Sequence, residues 1–358
     1  MHTSHLPRRT RTAVGLAALA LTSLGLTACS DSEASSDEGG GGGGTEVALG
    51  YFPNLTHATA LVGMEQGLFE DQLSEDGSSV KYSEFNSGSD TIEALLSGSL
   101  DATYIGPSPA LTAYSQSEGA VRIVAGAASG GAALVTSSDI ASVQDLEGKT
   151  IATPGAGNTQ DIAARYFLEG EGLQADDSGD GDVTIIPQDN SVTLQAFQQG
   201  EIDGAWVPEP YLSLMVDAGG KVLVDEAELW PEGEFVTTQL LVSTEFLESE
   251  PDAVAALLSA HVEANAYLND NQDEAQTLVQ DKLTELTKAE IPDDVFSDAW
   301  DNITFTNDPV ASSFVEGGEH ARQVLTDVEI ASDLEGIYDL DPLNEVLSEQ
   351  GEEEVSGP

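Results

Sequence analysis

The chain has 358 residues and a formal net charge of −53, from 64 acidic and 11 basic residues. This charge excludes a nucleic acid partner, because phosphate binding needs clustered Lys and Arg side chains. The single cysteine excludes an internal disulfide. Since the chain is longer than one ordinary hydrophobic core requires, we expect two lobes.

The first segment is typical of a lipoprotein signal. A basic start at residues 8–11 precedes an apolar run from Ala13 that is too short to span a bilayer comfortably. Small residues then lead into Cys29, whose thiol and new amine can carry acyl chains. We predict a signal peptide over residues 1–28 and lipidation of Cys29, which would anchor the protein to the outer face of the cytoplasmic membrane. The alternative is an ordinary cleaved signal with a chance cysteine.

Residues 29–45 are predicted to be a flexible tether. They are mostly Ser, Asp and Glu, followed by six consecutive glycines at 39–44, and such a composition buries too little apolar surface to fold. The folded part is therefore expected to begin near Glu46. No later segment is long and apolar enough to be predicted as a membrane span.

The acidity also predicts a source that lives in salt. Self-repulsion among so many carboxylates destabilises the compact state, and dissolved ions screen that repulsion. We expect the melting temperature of the protein to rise steeply with salt up to about molar levels, beyond the range where simple screening saturates. A melting temperature that stays flat from low salt upward would contradict a halophilic origin.

Strand and helix patterns alternate through two successive stretches, which is typical of a mostly parallel sheet with helices on both faces. In the first stretch the predicted elements are the strand 47–52, the helix 57–69, the strand 80–85, the helix 91–96 and the strands 102–105 and 121–127. In the second they are the strand 150–153, the helix 159–168, the strand 183–186, the helix 192–198 and the strand 204–207.

A weak internal repeat relates the two stretches. Residues 96–105 (LSGSLDATYI) match residues 198–207 (QQGEIDGAWV) in the Gly, the aliphatic-Asp pair and the aromatic-aliphatic pair. Each copy is followed by Pro-x-Pro, at residues 107–109 and 208–210. Because ligands of open α/β sheets bind at the carboxyl ends of strands, both proline corners are expected at a binding crevice.

The remaining third of the chain is predicted to be mostly helical. A short strand 222–224 and a returning strand 237–243 precede four helices, at 251–268, 273–286, 292–303 and 309–325. Connecting passes near 130–136 and 235–241 would form a hinge between the lobes. We predict lobe I from residues 46–132 and 238–350, and lobe II from residues 133–237.

Five sequence blocks together resemble the substrate-binding lipoproteins of ABC importers, in the branch for nitrate, taurine and aliphatic sulfonates. They occur in the order of that family: GYFPNLTHA at 50–58, GPSP at 106–109, AGAASGG at 125–131, DLEGKTIATP at 145–154 and DGAWVPEP at 203–210. The resemblance implies an α/β, type II periplasmic-binding-protein fold, with a hinge between two doubly wound lobes. It implies an extracytoplasmic receptor, expected as a monomer, that delivers a solute to permease and ATPase subunits.

The predicted solute is a small oxyanion, first an aliphatic sulfonate, with nitrate or taurine as alternatives. Helix starts present unpaired N–H groups and a positive dipole end, so they can hold an oxyanion without a cation. Asn54 or Thr56 can cap the first helix. Capping boxes are predicted for Asp90 with Glu93 and for Asn158 with Asp161. The predicted ligand-binding residues are Asn54, Thr56, His57, Ser87, Ser89, Asp90, Gly106, Ser108, Ser129, Asn158, Thr159, Trp206, Glu209 and Thr238. Trp206 is expected to cover the organic part of the solute.

Basic residues are scarce, and none is expected at the cleft; Arg165 is predicted to face solvent. The competing interpretation is an aromatic and acidic pocket for a cationic or heteroaromatic solute, such as a thiamine precursor. It would use Tyr51, Asp90, Tyr104, Asp161, Trp206 and Glu209. His57 is predicted either to hydrogen-bond the ligand or to be a helix-end residue with internal partners.

Enzyme motifs are lacking, and we expect no catalysis, cofactor or metal. The sequence has no Gly-x-Ser-x-Gly, no phosphate loop and no His-Glu-x-x-His motif. A different class of function, a tethered structural or adhesion protein, would need no closing cleft.

Overall fold

The computed structural model describes residues 44–334 and 336–358. Cys29, the predicted signal peptide and nearly all of the predicted tether lie outside them. The strands of the described part are, in chain order, β1 (Glu46–Tyr51), β2 (Ser79–Glu84), β3 (Ala102–Ile105), β4 (Val121–Gly130), β5 (Ala132–Thr136), β6 (Lys149–Thr153), β7 (Ala175–Asp176), β8 (Val183–Pro187), β9 (Gly204–Pro208), β10 (Lys221–Asp225), β11 (Val236–Ser243) and β12 (Ile303–Phe305).

The α-helices of the same part are α1 (Ala58–Glu65), α2 (Leu68–Ser74), α3 (Gly88–Leu96), α4 (Pro107–Gln116), α5 (Thr159–Gly170), α6 (Asn190–Gln199), α7 (Tyr211–Asp217), α8 (Thr244–Ser249), α9 (Pro251–Asp270), α10 (Gln272–Thr287), α11 (Asp293–Asp301), α12 (Ala311–Val324) and α13 (Asp341–Gln350). In this part of the chain, no helix combines the length and the apolar character that a membrane crossing requires.

The strands form two six-stranded sheets, which confirms the predicted two-lobed α/β fold. The first sheet has the order β12-β4-β11-β3-β1-β2 and the second has the order β10-β5-β9-β6-β8-β7. In the first sheet β1 pairs in parallel with β2 and β3, while β11 is antiparallel to β3 and β4. In the second sheet β6 pairs in parallel with β8 and β9, while β5 is antiparallel to β9 and β10.

The two copies of the sequence repeat occupy equivalent places in the two sheets. One copy contains β3, which pairs with β1, and the other contains β9, which pairs with β6. In each copy the Asp accepts a hydrogen bond from a backbone N–H of the neighbouring strand. Asp101 Oδ2 lies 2.8 Å from Ala48 N, and Asp203 Oδ2 lies 2.9 Å from Thr150 N. The repeated Asp therefore aligns each pair of parallel strands.

Several helices differ from the sequence prediction. The predicted first helix is split at Gly67, whose φ of 72° is left-handed, into α1 and α2. Neither α4 nor α7 was predicted, and each begins at one of the Pro-x-Pro corners. Proline suits these starts because the first turn of a helix has no partner for its N–H groups.

Most apolar side chains of the first lobe lie on the two faces of its sheet. Leu49, Leu61, Phe69 and Leu257 are fully buried in the larger cluster, which α1, α2 and α9 cover. The chain passes between the sheets at Gly131 and again between Asp225 and Val236. The lobe boundaries at 132/133 and 237/238 remain a prediction.

Candidate functional site

One edge of each sheet faces a crevice between the lobes. The parallel strands β1 and β3 end there, at Tyr51 and Ile105, and the antiparallel strand β11 starts there, since Gln239 pairs with Ile105. In the second sheet β6 ends at Thr153, and α5 begins six residues later. The carboxyl ends of the parallel strands are where open α/β sheets bind ligands.

Three helix starts meet at this crevice, two from the first lobe and one from the second. A Cβ placed on Gly106, just before α4, would lie only 2.6 Å from Thr159 Oγ1 at the start of α5. A Cβ on Gly88, in the first turn of α3, would lie 2.6 Å from Asn158 Oδ1. A Cβ at either position would therefore displace a side chain of the other lobe, Thr159 or Asn158. The converging N-termini give the crevice unpaired N–H groups and positive dipole ends.

Hydroxyl groups line the same helix starts. Ser87 Oγ and Ser89 Oγ lie 2.8 Å apart at the start of α3, with Ser89 exposed. Ser108 on α4 and Thr159 on α5 line one cavity of about 30 Å³. Because that volume holds about one water, the lobes must separate for a solute to enter. The predicted residues Ser87, Ser89, Gly106, Ser108, Asn158 and Thr159 are thus brought together from two lobes.

In the turn after β1, Asn54 is a capping residue as predicted, but of a different helix. Asn54 Oδ1 accepts a hydrogen bond from Thr56 N at 3.5 Å and caps a single turn of 3-10 helix rather than α1. His57 is buried, and its Nδ1 accepts a hydrogen bond from Phe52 N at 3.3 Å while the two rings stack. Burial lowers the pKa of His57 to about 3. His57 therefore acts as a neutral helix-end residue with internal partners.

The two predicted capping boxes do not form. The helix α3 begins at Gly88, so Asp90 lies within its first turn, where its side chain is exposed. Asn158 stands at the N-cap of α5 but makes no capping hydrogen bond with its side chain. The carboxylate of Asp161 accepts instead from Gly157 N at 2.9 Å and from Thr153 Oγ1 at 2.8 Å. It thereby holds the loop between β6 and α5 in place.

Arg165 does not face solvent as predicted. Its side chain is 17% exposed, its Nε lies 3.0 Å from Asp161 Oδ2, and its guanidinium also pairs with Asp177. Arg165 is the seventh residue of α5, and carboxylates of its own lobe neutralise its charge. The oxyanion hypothesis therefore still depends on N–H and hydroxyl groups.

The structure places Trp206 away from the crevice. Its side chain is fully buried in the core of the second lobe, where it contacts Phe167 edge to face. Its Nε1 donates to Glu226 Oε2 at 2.6 Å. Trp206 therefore cannot cover a solute, and the expectation that it would was wrong.

Glu209 and Ser129 belong to the connections between the lobes rather than to the crevice. Glu209 is fully buried; it accepts from Asn302 Nδ2 at 2.7 Å and from Ser213 Oγ at 2.8 Å. Burial raises its pKa, and these hydrogen bonds oppose the rise. Ser129 Oγ donates to Phe235 O at 2.9 Å and so joins β4 to the returning pass. Both side chains already have internal partners.

Two buried polar side chains of β11 have no hydrogen-bond partner in the described structure. They are Thr238, through Oγ1, and Gln239, through both Oε1 and Nε2. Gln239 pairs through its backbone with Ile105, next to Gly106, so it lies at the crevice edge of the sheet. Unpaired buried polar groups are rare in proteins, and a ligand is one way to satisfy them. Thr238 was predicted to bind the ligand, whereas Gln239 was not. The signal was a run of three polar residues, 237–239, in an apolar strand.

Among the described residues, no group of three or more His, Cys, Asp or Glu side chains is placed to hold a metal ion. The competing pocket of the sequence analysis does not form either. Tyr51 and Tyr104 belong to the core of the first lobe. The other four residues are apart from one another: Asp90 is exposed, Asp161 holds the loop before α5, Trp206 lies in the core of the second lobe, and Glu209 lies in a connection between the lobes.

Two lobes that meet around converging helix starts define the class of two-lobed solute-binding folds. The chain belongs to the NMT1-like family, whose profile matches residues 40–281. It is 30% identical over 273 residues to a putative aliphatic sulfonates-binding protein of Bacillus subtilis (strain 168), covering 75% of this chain and 77% of the relative. It is 30% identical over 200 residues to the taurine-binding periplasmic protein of Escherichia coli (strain K12), covering 56% of this chain and 60% of that one.

Solved structures agree on the fold. The periplasmic aliphatic sulphonate binding protein SsuA from Escherichia coli superposes with a TM-score of 0.65 at 19% identity, over 80% of this chain and 90% of SsuA. At this identity the likeness concerns the fold alone.

Proposed function

We propose that the protein is an extracytoplasmic receptor that binds a small organic sulfonate between its lobes and delivers it to an ABC importer. The convergence of three helix starts from two lobes carries this proposal. Such a site holds an oxyanion through backbone N–H groups, helix dipoles and hydroxyls. Relatives described as sulfonate-binding and taurine-binding support the same class of solute and a binding protein rather than an enzyme.

The buried side chains of Thr238 and Gln239 complete the proposed site. A hydroxyl and an amide Nε2 can each donate to a sulfonate oxygen, while the amide Oε1 can accept from a polar group on the organic part. The backbone of Gln239 pairs with Ile105, the residue before Gly106, where the start of α4 approaches α5. A solute held there would contact both lobes, so binding would favour their closed arrangement.

Location and partners follow from the same proposal. Lipidation of Cys29 would hold the receptor on the outer face of the cytoplasmic membrane, and residues 29–45 would act as its tether. The permease and ATPase subunits of an importer would be its partners, and the receptor would act as a monomer. Metabolic labelling with a fatty acid analogue, with Cys29→Ser as the matched control, tests the anchor.

The solute class is tested by thermal shift at high salt. Ethanesulfonate at about a hundred times its dissociation constant is expected to stabilise the protein by about 2.7 kcal/mol. Ethyl methyl sulfone, which lacks the charged oxygen, is the control and should not stabilise it. Taurine and nitrate are tested in parallel, and the sizes of their thermal shifts show which of the three solutes the protein binds best. If the neutral sulfone stabilises as well as the sulfonate, the oxyanion site is wrong.

Gln239→Leu tests the part of the site that lies on β11. We expect sulfonate affinity to fall about tenfold, the value of one lost hydrogen bond to a charged group. The free energy of unfolding should not fall, because neither amide atom has a partner within the described structure. An unchanged affinity would exclude Gln239 from the site.

A further inference from the structure

A second groove with aromatic walls lies between α5 of one lobe and α12 of the other. Tyr166 on α5 stacks on His320 of α12, with ring centroids 3.6 Å apart and an angle of 17° between the planes. Trp230, in the pass between the sheets, lies 5.4 Å from the same His320 ring. These rings border a cavity of about 390 Å³. Leu229, at its rim, is 43% exposed.

The side chain of Trp230 is fixed by two contacts with buried residues. Glu226 is buried; besides the indole N–H of Trp206, it hydrogen-bonds with the Trp230 side chain. Phe235 lies parallel to the Trp230 ring, with centroids 6.0 Å apart. The ring therefore presents a fixed face, and ordering it costs little when a ligand binds.

The charged residues of this groove are all acidic. Glu171, Glu226 and Glu316 line it, and no Lys or Arg does among the described residues. The nearby arginines are engaged elsewhere: Arg165 pairs with Asp161 and Asp177, and Arg322 pairs with Glu319. Burial raises the pKa of Glu226 to about 7, so it contributes little charge to the groove. Across the same described part, the exposed carboxylates of Glu171 and Glu316 take part in no ion pair. An aromatic groove with uncompensated negative charge complements a cation.

We propose that this groove binds a small organic cation, either a quaternary ammonium or a heteroaromatic cation, with its charge over the Trp230 ring. The volume is within the range of small-molecule pockets. The six residues that were predicted to bind such a solute do not line this groove. Glu226, Trp230 and His320 also line the cavity of about 30 Å³ beside Thr159, so the groove adjoins the crevice. The site goes beyond the proposed receptor function, because none of the helix starts at the crevice lines it.

Calorimetric titration at constant ionic strength tests this site. Choline is the probe, and 3,3-dimethylbutan-1-ol, of the same shape but uncharged, is the control. We expect saturable binding of choline at least about tenfold tighter than that of the alcohol, as cation–π attraction in a partly dry site requires. Absence of saturable binding, or equal affinity for the two probes, would overturn the proposal.

Variants test whether choline binds in the groove or is attracted by the general negative charge of the surface. Trp230→Leu should weaken choline binding about tenfold. Glu316→Gln should weaken it several-fold, and since Glu316 is exposed this variant should not disturb folding. Glu349→Gln removes the same charge at an exposed residue of α13, outside the groove, and should leave binding unchanged. If Glu316→Gln and Glu349→Gln weaken choline binding equally, the effect is bulk charge and the groove is not a site.

Sulfonate titration of the same variants keeps the two proposals apart. Ethanesulfonate affinity should stay unchanged in Glu316→Gln. Loss of choline binding with intact sulfonate binding is the expected pattern. If the wild-type protein binds sulfonate but not choline, only the proposal of a cation site in the groove is contradicted. If it binds choline but not sulfonate, only the proposal of a sulfonate site in the crevice is contradicted.

Discussion

Replacing Gly106 by valine is expected to weaken solute binding by at least about a hundredfold, or about 2.7 kcal/mol. Even a lone Cβ at this position would stand 2.6 Å from Thr159 Oγ1, on the opposite lobe. Valine adds two methyl groups to this Cβ, and we expect them to keep the lobes apart. A solute that needs contacts from both lobes would then lose those of one lobe. Titration of the variant with the solute identified by thermal shift measures the effect.

Gly170→Ala is the matched control for this change. Gly170 ends α5, and a Cβ placed there would meet no atom within 4 Å. We expect this variant to bind solute like the wild type. Gly106→Val should keep most of its free energy of unfolding, because the clash disappears when the lobes separate. Full affinity in Gly106→Val would mean that the solute does not bind between α4 and α5.

Glu226→Gln is expected to remove a pH-dependent contribution of roughly 3 kcal/mol to the free energy of unfolding. Burial raises the pKa of Glu226 from 4.5 to about 7, although hydrogen bonds from Trp206 and Trp230 oppose the rise and the nearby Asp225 adds to it. The native state then holds a proton that the unfolded chain releases. The contribution of Glu226 to stability is therefore fully present below about pH 4.5 and is lost as the pH rises towards 7.

Denaturant unfolding of the wild type and the variant between pH 4.5 and 8 measures this contribution. The difference in their free energies of unfolding should change steadily with pH and level off above 7. A constant offset is expected as well, because an amide N–H₂ facing an indole N–H cannot accept its hydrogen bond. Glu228→Gln, at an exposed position in the same turn, is the control and should follow the wild type. If the difference does not vary with pH, Glu226 is ionised in the folded protein.

Local patterns in the sequence were enough to predict the fold and part of the site. Alternating strands and helices predicted two α/β lobes, because the spacing of apolar residues along the chain shows which face of each strand or helix is buried. The repeat predicted equivalent strands, and Asp101 and Asp203 make the same backbone hydrogen bond in both. The starts of α3 and α5 lie near their predicted positions, and Ser87, Ser89 and Thr159 were named there. The helix α4 was not predicted, although Gly106 and Ser108 at its start were named.

Only the tertiary structure decided where individual side chains point. Strands covered on both faces are apolar throughout, so their sequence does not tell which face Trp206 occupies. Glu209 and Glu226 have partners far along the chain, Asn302 and Trp206, and no local pattern encodes those pairings. Arg165 pairs with Asp161 at the i, i+4 spacing of a helix, but its second partner, Asp177, lies beyond α5. Gln239 became a candidate only when its buried amide proved to have no partner among the described residues. Helices and strands follow from neighbours along the chain, whereas a binding site depends on distances between residues that folding alone brings together.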